Sequence, residues 1–229
     1  MDDAVAPASA EAVREAWTEI APGALRRLRR AGLVGRAALG IHPGRIPTRG
    51  LEALLQELPE HLGRPGVAAI GEIGLSEGGA REQALLERQL ELAASLRLPV
   101  VVAAPWRREL ALTRRLLATL RDGEVPPERV LFQGVDSRTV KMVLACGHLA
   151  GVSLSAGPEA LDEAVRLVRR LGPEGLVLSS GAGRAGGDLL ALPRAAARLR
   201  AAGLSAAVIR RVCGGNAQRV LGVSEPRTG

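Results

Sequence analysis

The fold of this chain is decided by VAAIGEIGL, residues 67–75, and by the segment that follows it. The apolar start of this stretch predicts a buried strand over residues 67–71. A helical pattern follows over residues 80–96, where apolar residues recur at three- or four-residue spacing: Leu86, Leu90, Ala93 and Leu96. Charged residues face away from this stripe, so the helix can pack its apolar side on a sheet. The stretch therefore predicts a βα unit.

The same alternation of short apolar runs and amphipathic segments continues along almost the whole chain. Strands are predicted over residues 36–40, 67–71, 100–104, 130–132, 150–154 and 176–179. Helices are predicted over residues 9–31, 50–62, 80–96, 109–122, 137–145 and 159–171, the first of them capped by Ser9. Repeated βα units are typical of a parallel sheet with outer helices. We therefore predict an α/β fold in which residues 1–223 form a single domain and residues 224–229 a flexible tail.

The composition indicates how such a fold is filled. The chain has 229 residues, of which 47% are apolar, but it contains no Tyr and a single Phe, Phe132. Trp17 and Trp106 are the only tryptophans. The core must therefore consist of Leu, Val, Ile and Ala, which suits helices packed on a sheet.

The chain is strongly basic, with a net charge of +7, and all of its basic residues except Lys141 are Arg. This charge would suit an anionic partner such as a nucleic acid. However, the arginines are scattered along amphipathic helices, and stacking aromatics are missing. Nucleic-acid binding is therefore an alternative supported by the charge alone, and we do not expect a nucleic-acid partner.

The cysteines and the apolar runs bear on location. Cys146 and Cys213 lie far apart without CxxC spacing, which predicts reduced, buried thiols. No apolar run approaches the length of a membrane span, and the N-terminus lacks a basic-then-apolar signal. We expect a cytoplasmic protein without a membrane partner.

Several short motifs occur in a fixed order along the chain. They are GIHP at residues 40–43, AIGEIGL at 69–75, QLELA at 89–93 leading to LPVVV at 98–102, and NAQRVLG at 216–222. Together they resemble the TatD-like metal-dependent hydrolases, barrel enzymes of the amidohydrolase type, over residues 39–223. The resemblance implies a TIM-barrel-like parallel sheet with the active site at the C-terminal ends of its strands.

The resemblance also implies a set of metal ligands, of which this chain keeps one. The family uses a His-x-His, the Glu of Gly-Glu-Ile-Gly, two further histidines and an Asp. Glu72 matches the Glu. Residues without a carboxylate or imidazole stand at the later positions: Ala103, then Gln133 or Gly134, then Gly181 or Gly183. The His-x-His is absent, since the chain's histidines are His42, His61 and His148.

One carboxylate supplies too few donors for a catalytic divalent ion. We therefore expect a degenerate member of the family, a pseudoenzyme with Glu72 as a residual ligand and no resident cofactor, which binds a protein partner or a small anionic molecule. One alternative is an active metal-dependent phosphoesterase or deoxyribonuclease-type hydrolase, which would require a divalent metal. The nucleic-acid-binding protein is the second alternative.

Five side chains near predicted strand ends are candidates for ligand binding: His42, Glu72, Asp136, Ser179 and Arg184. Glu72 is interpreted as a vestigial ligand or, preferably, as a buried carboxylate paired with an Arg. His42 is interpreted as a structural or substrate-facing hydrogen-bonding group. His61 and His148 are expected on the surface or in loops.

The run GAGRAG, residues 181–186, fits the glycine spacing of a dinucleotide-binding loop after a strand. No helix opens inside it and no strand with an acidic end follows, so the dinucleotide interpretation is not favoured. An anion site on backbone amides, assisted by Arg184, is an alternative. Ser179 and Ser180 lack a plausible His partner, which argues against nucleophilic catalysis.

The family barrel has eight strands, whereas this chain provides six. The resemblance aligns the helix at residues 9–31 with the one before the family's third strand, so the first one or two strands are expected to be missing. Open strand edges near Arg36 and Leu176 should then attract a second copy of the chain or another protein.

Overall fold

The structure is a computed structural model, and it describes residues 8–105, 109–155, 157–183 and 188–223. Trp106, Arg184 and the predicted tail at residues 224–229 lie outside the described residues. The chain divides into two compact units between Val125 and Pro126. Each unit contains three parallel strands with helices between them, which confirms the predicted α/β class. The single domain over residues 1–223 stays a prediction.

Three strands and five α-helices lie in the described part of the first unit, residues 8–105 and 109–125. The strands are β1 (Ala37–Leu39), β2 (Val67–Gly74) and β3 (Val100–Ala103). The helices are α1 (Ala10–Thr18), α2 (Leu25–Arg30), α3 (Leu51–Leu62), α4 (Ala80–Ser95) and α5 (Leu110–Asp122), with a 3-10 turn at Pro43–Arg45. Strand β2 pairs with both others, Leu39 lying beside Ile70 and Val102 beside Ile73.

The second unit repeats the pattern and ends in helices. Its strands are β4 (Val130–Gln133), β5 (Leu149–Ser153) and β6 (Leu176–Ser179). Its helices are α6 (Val140–Ala145), α7 (Pro158–Leu171), α8 (Ala191–Ala201), α9 (Ala206–Arg210) and α10 (Asn216–Val220), with a 3-10 turn at Pro127–Arg129. Strand β5 pairs with both others, Phe132 lying beside Ala150 and Ser153 beside Ser179.

The strands are buried because their side chains are almost entirely aliphatic. Ile70, Val102 and Leu176 are fully buried, and Phe132 is as well. Near-continuous apolar strands of this kind occur where helices cover a parallel sheet. All six predicted strands are present, which confirms that apolar runs bounded by turns were sufficient to locate them.

The helix predicted over residues 9–31 is interrupted. Ser9 caps it as expected, since its hydroxyl accepts a hydrogen bond from the Ala12 backbone N–H. Between α1 and α2 the chain forms a π-helical turn at Glu19–Ala24 that contains Pro22. Proline has no N–H to donate and its ring crowds the preceding turn, so a regular α-helix cannot run through this point.

Strand β2 is longer than predicted. It continues to Gly74 instead of ending at Gly71, because it resumes pairing with β3 at Ile73 after a register shift that begins at Ile70. Glu72 therefore lies inside the strand, at an irregular point of the ladder where a bulge can redirect a side chain.

In the part of the chain that the structure describes, no helix is both long and apolar enough to cross a membrane. The cytoplasmic location stays a prediction.

Candidate functional site at the carboxyl edges of the strands

In parallel α/β folds, ligands bind at the edge where the strands end, here called the carboxyl edge. In the first unit this edge is formed where β1, β2 and β3 end, and the backbones approach each other closely there. A Cβ atom added to Gly71 would lie 2.6 Å from both the Cβ and the carbonyl oxygen of Val101. Gly71 is therefore required by the packing of β2 against β3, which is a structural reason for the first glycine of Gly-Glu-Ile-Gly.

The segment that follows β1 is held by the side chain of Gln89 on α4. Its carbonyl oxygen accepts from the Ile41 N–H at 2.8 Å, and its amide nitrogen donates to the Ile41 carbonyl at 3.2 Å. Gln89 is only 1% exposed. The indole of Trp17 on α1 also donates to the Gly40 carbonyl at 3.0 Å. These bonds satisfy buried backbone groups where the strand ladder stops.

His42 comes next and is half-buried. Its Nδ1 accepts a hydrogen bond from the Gly44 N–H at 3.0 Å and so caps the turn at Pro43–Arg45. With Nδ1 acting as acceptor, the neutral ring carries its proton on Nε2. His42 is thus a structural cap whose other nitrogen is a donor, in agreement with its interpretation as a hydrogen-bonding group.

Glu72 is exposed, although Gly71 and Ile73 on either side of it are buried. No salt bridge joins Glu72 to any residue that the structure describes. Glu72 is therefore not the buried carboxylate that the preferred interpretation assumed. That interpretation took the side chain of a buried strand to be buried itself, whereas this carboxylate, at an irregular point of the ladder, is exposed. Its pairing with an Arg stays a prediction.

The loop after β2 is organised by Glu82 in the first turn of α4. One carboxylate oxygen of Glu82 accepts from the backbone N–H groups of Ser76, Glu77 and Gly78, at 2.8, 3.0 and 2.9 Å. Several N–H groups converging on one point form a typical anion-binding nest. Here the protein's own carboxylate fills the nest, so the loop does not offer it to an anionic ligand.

Strand β3 ends in Ala103 and Ala104, both half-buried. Neither side chain has a donor or acceptor atom, so β3 contributes nothing that could coordinate an ion or bind a polar ligand through a side chain.

At the carboxyl edge of the second unit, β5 and β6 end in neutral polar residues. Ser153 and Ser179 lie side by side at the ends of β5 and β6, and the Ser153 hydroxyl is 2.9 Å from that of Ser155. Gly181 packs against Ser153 and Ser155. A Cβ atom at Gly181 would lie 2.9 Å from the Ser155 Cβ and 3.1 Å from the Ser153 hydroxyl oxygen, and its φ of +61° disfavours other residues. A side chain at this position would require the serines to move.

Asp136 follows β4 and is engaged in its own turn. Its carboxylate accepts from the N–H groups of Arg138 and Thr139, from the Thr139 hydroxyl and from the Arg138 guanidinium. Partial burial raises the pKa of Asp136, but these hydrogen bonds outweigh it, so the pKa lies below its ordinary value. The turn also delays helix α6, which begins at Val140 and not at the predicted residue 137.

Ser179 and Ser180 are half-buried, and the Ser180 hydroxyl accepts from the Ala182 N–H at 3.4 Å. Arg184, the fifth candidate, lies outside the described residues. The other four candidates are divided between the two units. His42 follows β1 and Glu72 lies in the neighbouring strand β2 of the first unit, whereas Asp136 and Ser179 belong to the second unit.

The two other histidines are buried, which corrects a surface position, although His148 does lie in a loop and His61 at a helix end. His61 lies in the last turn of α3 against Trp17, with ring centroids 5.0 Å apart. His148 precedes β5, packs on Phe132 and hydrogen-bonds the Pro127 carbonyl at 3.1 Å. Burial lowers the pKa of both histidines, because it disfavours the charged ring. Each ring packs in the core against an aromatic side chain, His61 against Trp17 and His148 against Phe132.

The cysteines also differ from expectation. Cys146 is exposed and Cys213 is half-buried, and both are free thiols. Burial raises the pKa of Cys213. The prediction of buried thiols is wrong for Cys146, which is the residue that ends the short helix α6 and is exposed.

A comparison with known protein families decides the relationship. The profile of the TatD related DNase family matches residues 16–178, which is more than half of the chain. The chain belongs to this family.

Individual relatives of this TatD family member agree with the match. An uncharacterized metal-dependent hydrolase of Methanocaldococcus jannaschii is 28% identical over 181 residues, covering 78% of this chain and 70% of the relative. The crystal structure of a TatD-like protein from Archaeoglobus fulgidus has a TM-score of 0.76 and 27% identity, with 96% and 87% of the two chains covered. A TatD homolog from Escherichia coli has a TM-score of 0.64 and 24% identity, over 89% and 84% of the chains. These likenesses confirm the TIM-barrel-like fold.

One relative of this TatD family member is named as a metal-dependent hydrolase, so the residues that could hold a metal ion are of interest. No group of three or more His, Cys, Asp or Glu side chains is placed to hold a metal ion among the described residues. The resemblance puts Ala103, then Gln133 or Gly134, then Gly181 or Gly183 at ligand positions. Ala and Gly have no side-chain donor, and Gln133 would offer a neutral amide where the family has an imidazole.

Gln89 and Glu82 were missed by sequence reasoning, although each gave a signal. Gln89 falls beside Leu86 and Leu90 on the apolar stripe of α4, and a polar residue in such a stripe needs a buried partner. Glu82 stands in the first turn of a helix after a glycine-rich loop, where a carboxylate can accept backbone N–H groups.

Proposed function

We propose that this chain is a non-catalytic member of the TatD family, which binds a ligand or partner at its strand edges and does not hydrolyse a substrate. The observation that carries the proposal is the chemistry of the strand ends. Strand β3 ends in alanine, and the edge of β5 and β6 ends in serine and glycine, where a metal-dependent hydrolase needs imidazole and carboxylate.

The packing of Gly181 supports the same proposal. Gly181 has no side chain, and the side chains of Ser153 and Ser155, whose hydroxyls hydrogen-bond to each other, occupy the space beside it. The position is thus packed as a contact between small residues. An Asp could not be restored there by substitution alone, because its Cβ would lie too close to the Ser155 side chain.

The groups left at the second unit's edge indicate the kind of ligand. The hydroxyls of Ser153, Ser155 and Ser179 each donate and accept, and Gln133 adds a neutral amide at the end of β4. Such groups hydrogen-bond polar ligands without requiring a particular charge. The identity of the ligand stays open to experiment.

Metal content and hydrolysis test the proposal together. The purified chain is analysed for Zn, Mn, Fe and Mg by elemental analysis, and phosphodiester hydrolysis is measured with and without added divalent metal. We expect well below one equivalent of any metal. We also expect that the wild type shows no hydrolysis that a chelator abolishes. The matched variant Glu72→Gln should behave as the wild type does in both assays.

The alternative is an active metal-dependent hydrolase, and it is favoured by the relatives' descriptions alone. Stoichiometric metal together with hydrolysis that chelation abolishes and Glu72→Gln reduces would establish this alternative and overturn the proposal.

The association of the chain also stays a prediction. In the first unit, β1 has only three residues and pairs with β2, while Leu33 and Val34 just before it are 57% and 71% exposed. Exposed apolar residues beside a short strand are consistent with the expected contact to a second copy. Light scattering at micromolar concentration measures this directly, and a monodisperse monomer would contradict it.

A further inference from the structure

A basic hollow lies at the opposite end of the second unit's strands, on the helical segment that closes the chain. Helices α9 and α10 are joined there by a π-helical turn at Arg211–Gly215. The hollow is lined by six residues of this segment, and we call it the arginine hollow: Ala207, Arg210, Arg211, Gly215, Asn216 and Arg219.

The position of the hollow is fixed by the core beneath it. Asn216 is 1% exposed, and its amide donates to the carbonyls of Pro173 and Leu176, both at 2.7 Å. These carbonyls precede and begin β6, so the hollow lies at the amino end of that strand. Val212 is fully buried, and Val220 packs on Leu131, Leu149 and Val177. The arginines therefore extend from a rigid base.

The hollow carries an excess of positive charge. Arg211 forms a salt bridge with Glu174 at 2.6 Å, which neutralises one of the three guanidinium groups. Arg210 and Arg219 are exposed and form no salt bridge with any residue that the structure describes. Other arginines of this unit are bound to acids, as Arg166 is to Glu163 and Arg198 is to Asp162.

The shape of the hollow limits what it can hold. Its volume is about 270 Å³, which is below the roughly 300–1,000 Å³ typical of pockets that enclose a small-molecule ligand. Ala207 and Gly215 are the smallest residues of its lining, and the nearest atom to a Cβ built on Gly215 is the Arg210 carbonyl oxygen at 3.6 Å. Small residues between long arginine side chains suit a compact anion that enters from solvent.

We infer that the arginine hollow is a phosphate-binding site. The planar guanidinium groups of Arg210 and Arg219 donate paired N–H groups, which match phosphate oxygens in geometry and charge. The phosphate could be a free ion or part of a nucleic-acid backbone, because both present the same oxygens. The site is independent of the proposed function, since it lies at the amino end of β6 and uses none of the carboxyl-edge residues.

The test compares two double variants that remove equal charge. Arg210→Gln/Arg219→Gln alters the hollow, and Arg170→Gln/Arg200→Gln alters two exposed arginines of α7 and α8 in the same unit. In the first arm, inorganic phosphate is titrated while the arginine Nε–H resonances are followed by NMR. In the second arm, a labelled single-stranded oligonucleotide is titrated by fluorescence anisotropy with chelator present, at several salt concentrations.

We expect saturable binding in at least one arm, weakened about tenfold by the hollow variant and less than about twofold by the control variant. In the oligonucleotide arm, the slope of log affinity against log salt should also become shallower by about 1.4, because two phosphate contacts are lost. Binding of phosphate alone would identify a free anion as the ligand, and binding of the oligonucleotide a nucleic-acid strand.

Absence of binding in both arms would overturn the inference, as would equal losses in the two variants. Circular dichroism should show both variants folded, since the substituted side chains are exposed. None of these outcomes depends on metal content or hydrolysis, so this inference and the proposed function can fail separately.

Discussion

The carboxyl edges of the two units are built in different ways. In the first unit, buried or loop-binding side chains hold the backbone, as Gln89 holds Ile41 and Glu82 holds the loop after β2. In the second unit, small residues pack directly, as Gly181 packs on Ser153 and Ser155. Neither edge keeps the family's set of ligands in its described residues. The comparison teaches that equivalent edges of one fold can be held either by long polar side chains that bind the backbone or by direct packing of small residues.

The largest effect is expected from removing the support in the first unit. Gln89→Leu would leave the N–H and the carbonyl of Ile41 buried without partners. Each unsatisfied group costs roughly 1–3 kcal/mol, so we expect a loss of about 3 kcal/mol in the free energy of unfolding. Denaturant unfolding measures it.

The matched control for this variant is Gln83→Leu on the same helix. Gln83 is half-buried and bonds to side chains at the surface, so its loss should cost less than about 1 kcal/mol. Equal losses in the free energy of unfolding for the two variants would show that the carboxyl edge of the first unit does not depend on the buried hydrogen bonds of Gln89.

A smaller effect is expected at the loop after β2. Glu82→Gln removes the charge that three backbone N–H groups share, and we expect a loss of about 1–2 kcal/mol. Glu87→Gln, at an exposed position of the same helix, is the control and should be nearly neutral. Hydrogen exchange of the Ser76 and Gly78 amides should speed up only in the first variant; unchanged exchange would count against the nest.

In the second unit, the carboxylate of Asp136 should contribute in a pH-dependent way. Hydrogen bonds from Thr139 and Arg138 hold the pKa of the folded state below that of the unfolded chain, despite the opposing effect of burial. A lowered pKa stabilises the fold above the unfolded-state value, and this contribution is lost as pH falls through the folded-state value.

The variant for this prediction is Asp136→Asn, which keeps an acceptor but cannot titrate. We expect it to be less stable than the wild type by about 1 kcal/mol at neutral pH, with the difference shrinking as pH falls from neutral to below about 4. Urea unfolding across that range provides the measurement, and a difference that does not change with pH would contradict the prediction.

The smallest effect is expected at Glu72, the residue that the resemblance places at a metal-ligand position. Glu72→Gln should change the free energy of unfolding by less than about 0.5 kcal/mol, because the carboxylate is exposed and no described residue forms a salt bridge with it. A larger loss would show that Glu72 has a partner in solution and would reduce the contrast with Glu82.

The sequence by itself determined the strands, the helices between them and the family. Apolar runs such as residues 100–103 must be buried wherever they lie, and the spacing of Leu86, Leu90 and Ala93 allows only one helical face to be apolar. The lack of a side-chain donor atom at Ala103 and Gly181 was also visible, because an absent donor atom needs no structure to be recognised.

Only the tertiary structure decided where individual polar groups lie. The irregular ladder of β2 exposes Glu72, and core packing buries His61 and His148 beside Trp17 and Phe132. The arginine hollow likewise depends on a π-helical turn that brings Arg210 and Arg219 around Gly215. Burial and proximity are set by which elements pack together, and residues far apart in sequence supply the neighbours, so local patterns could not reveal them.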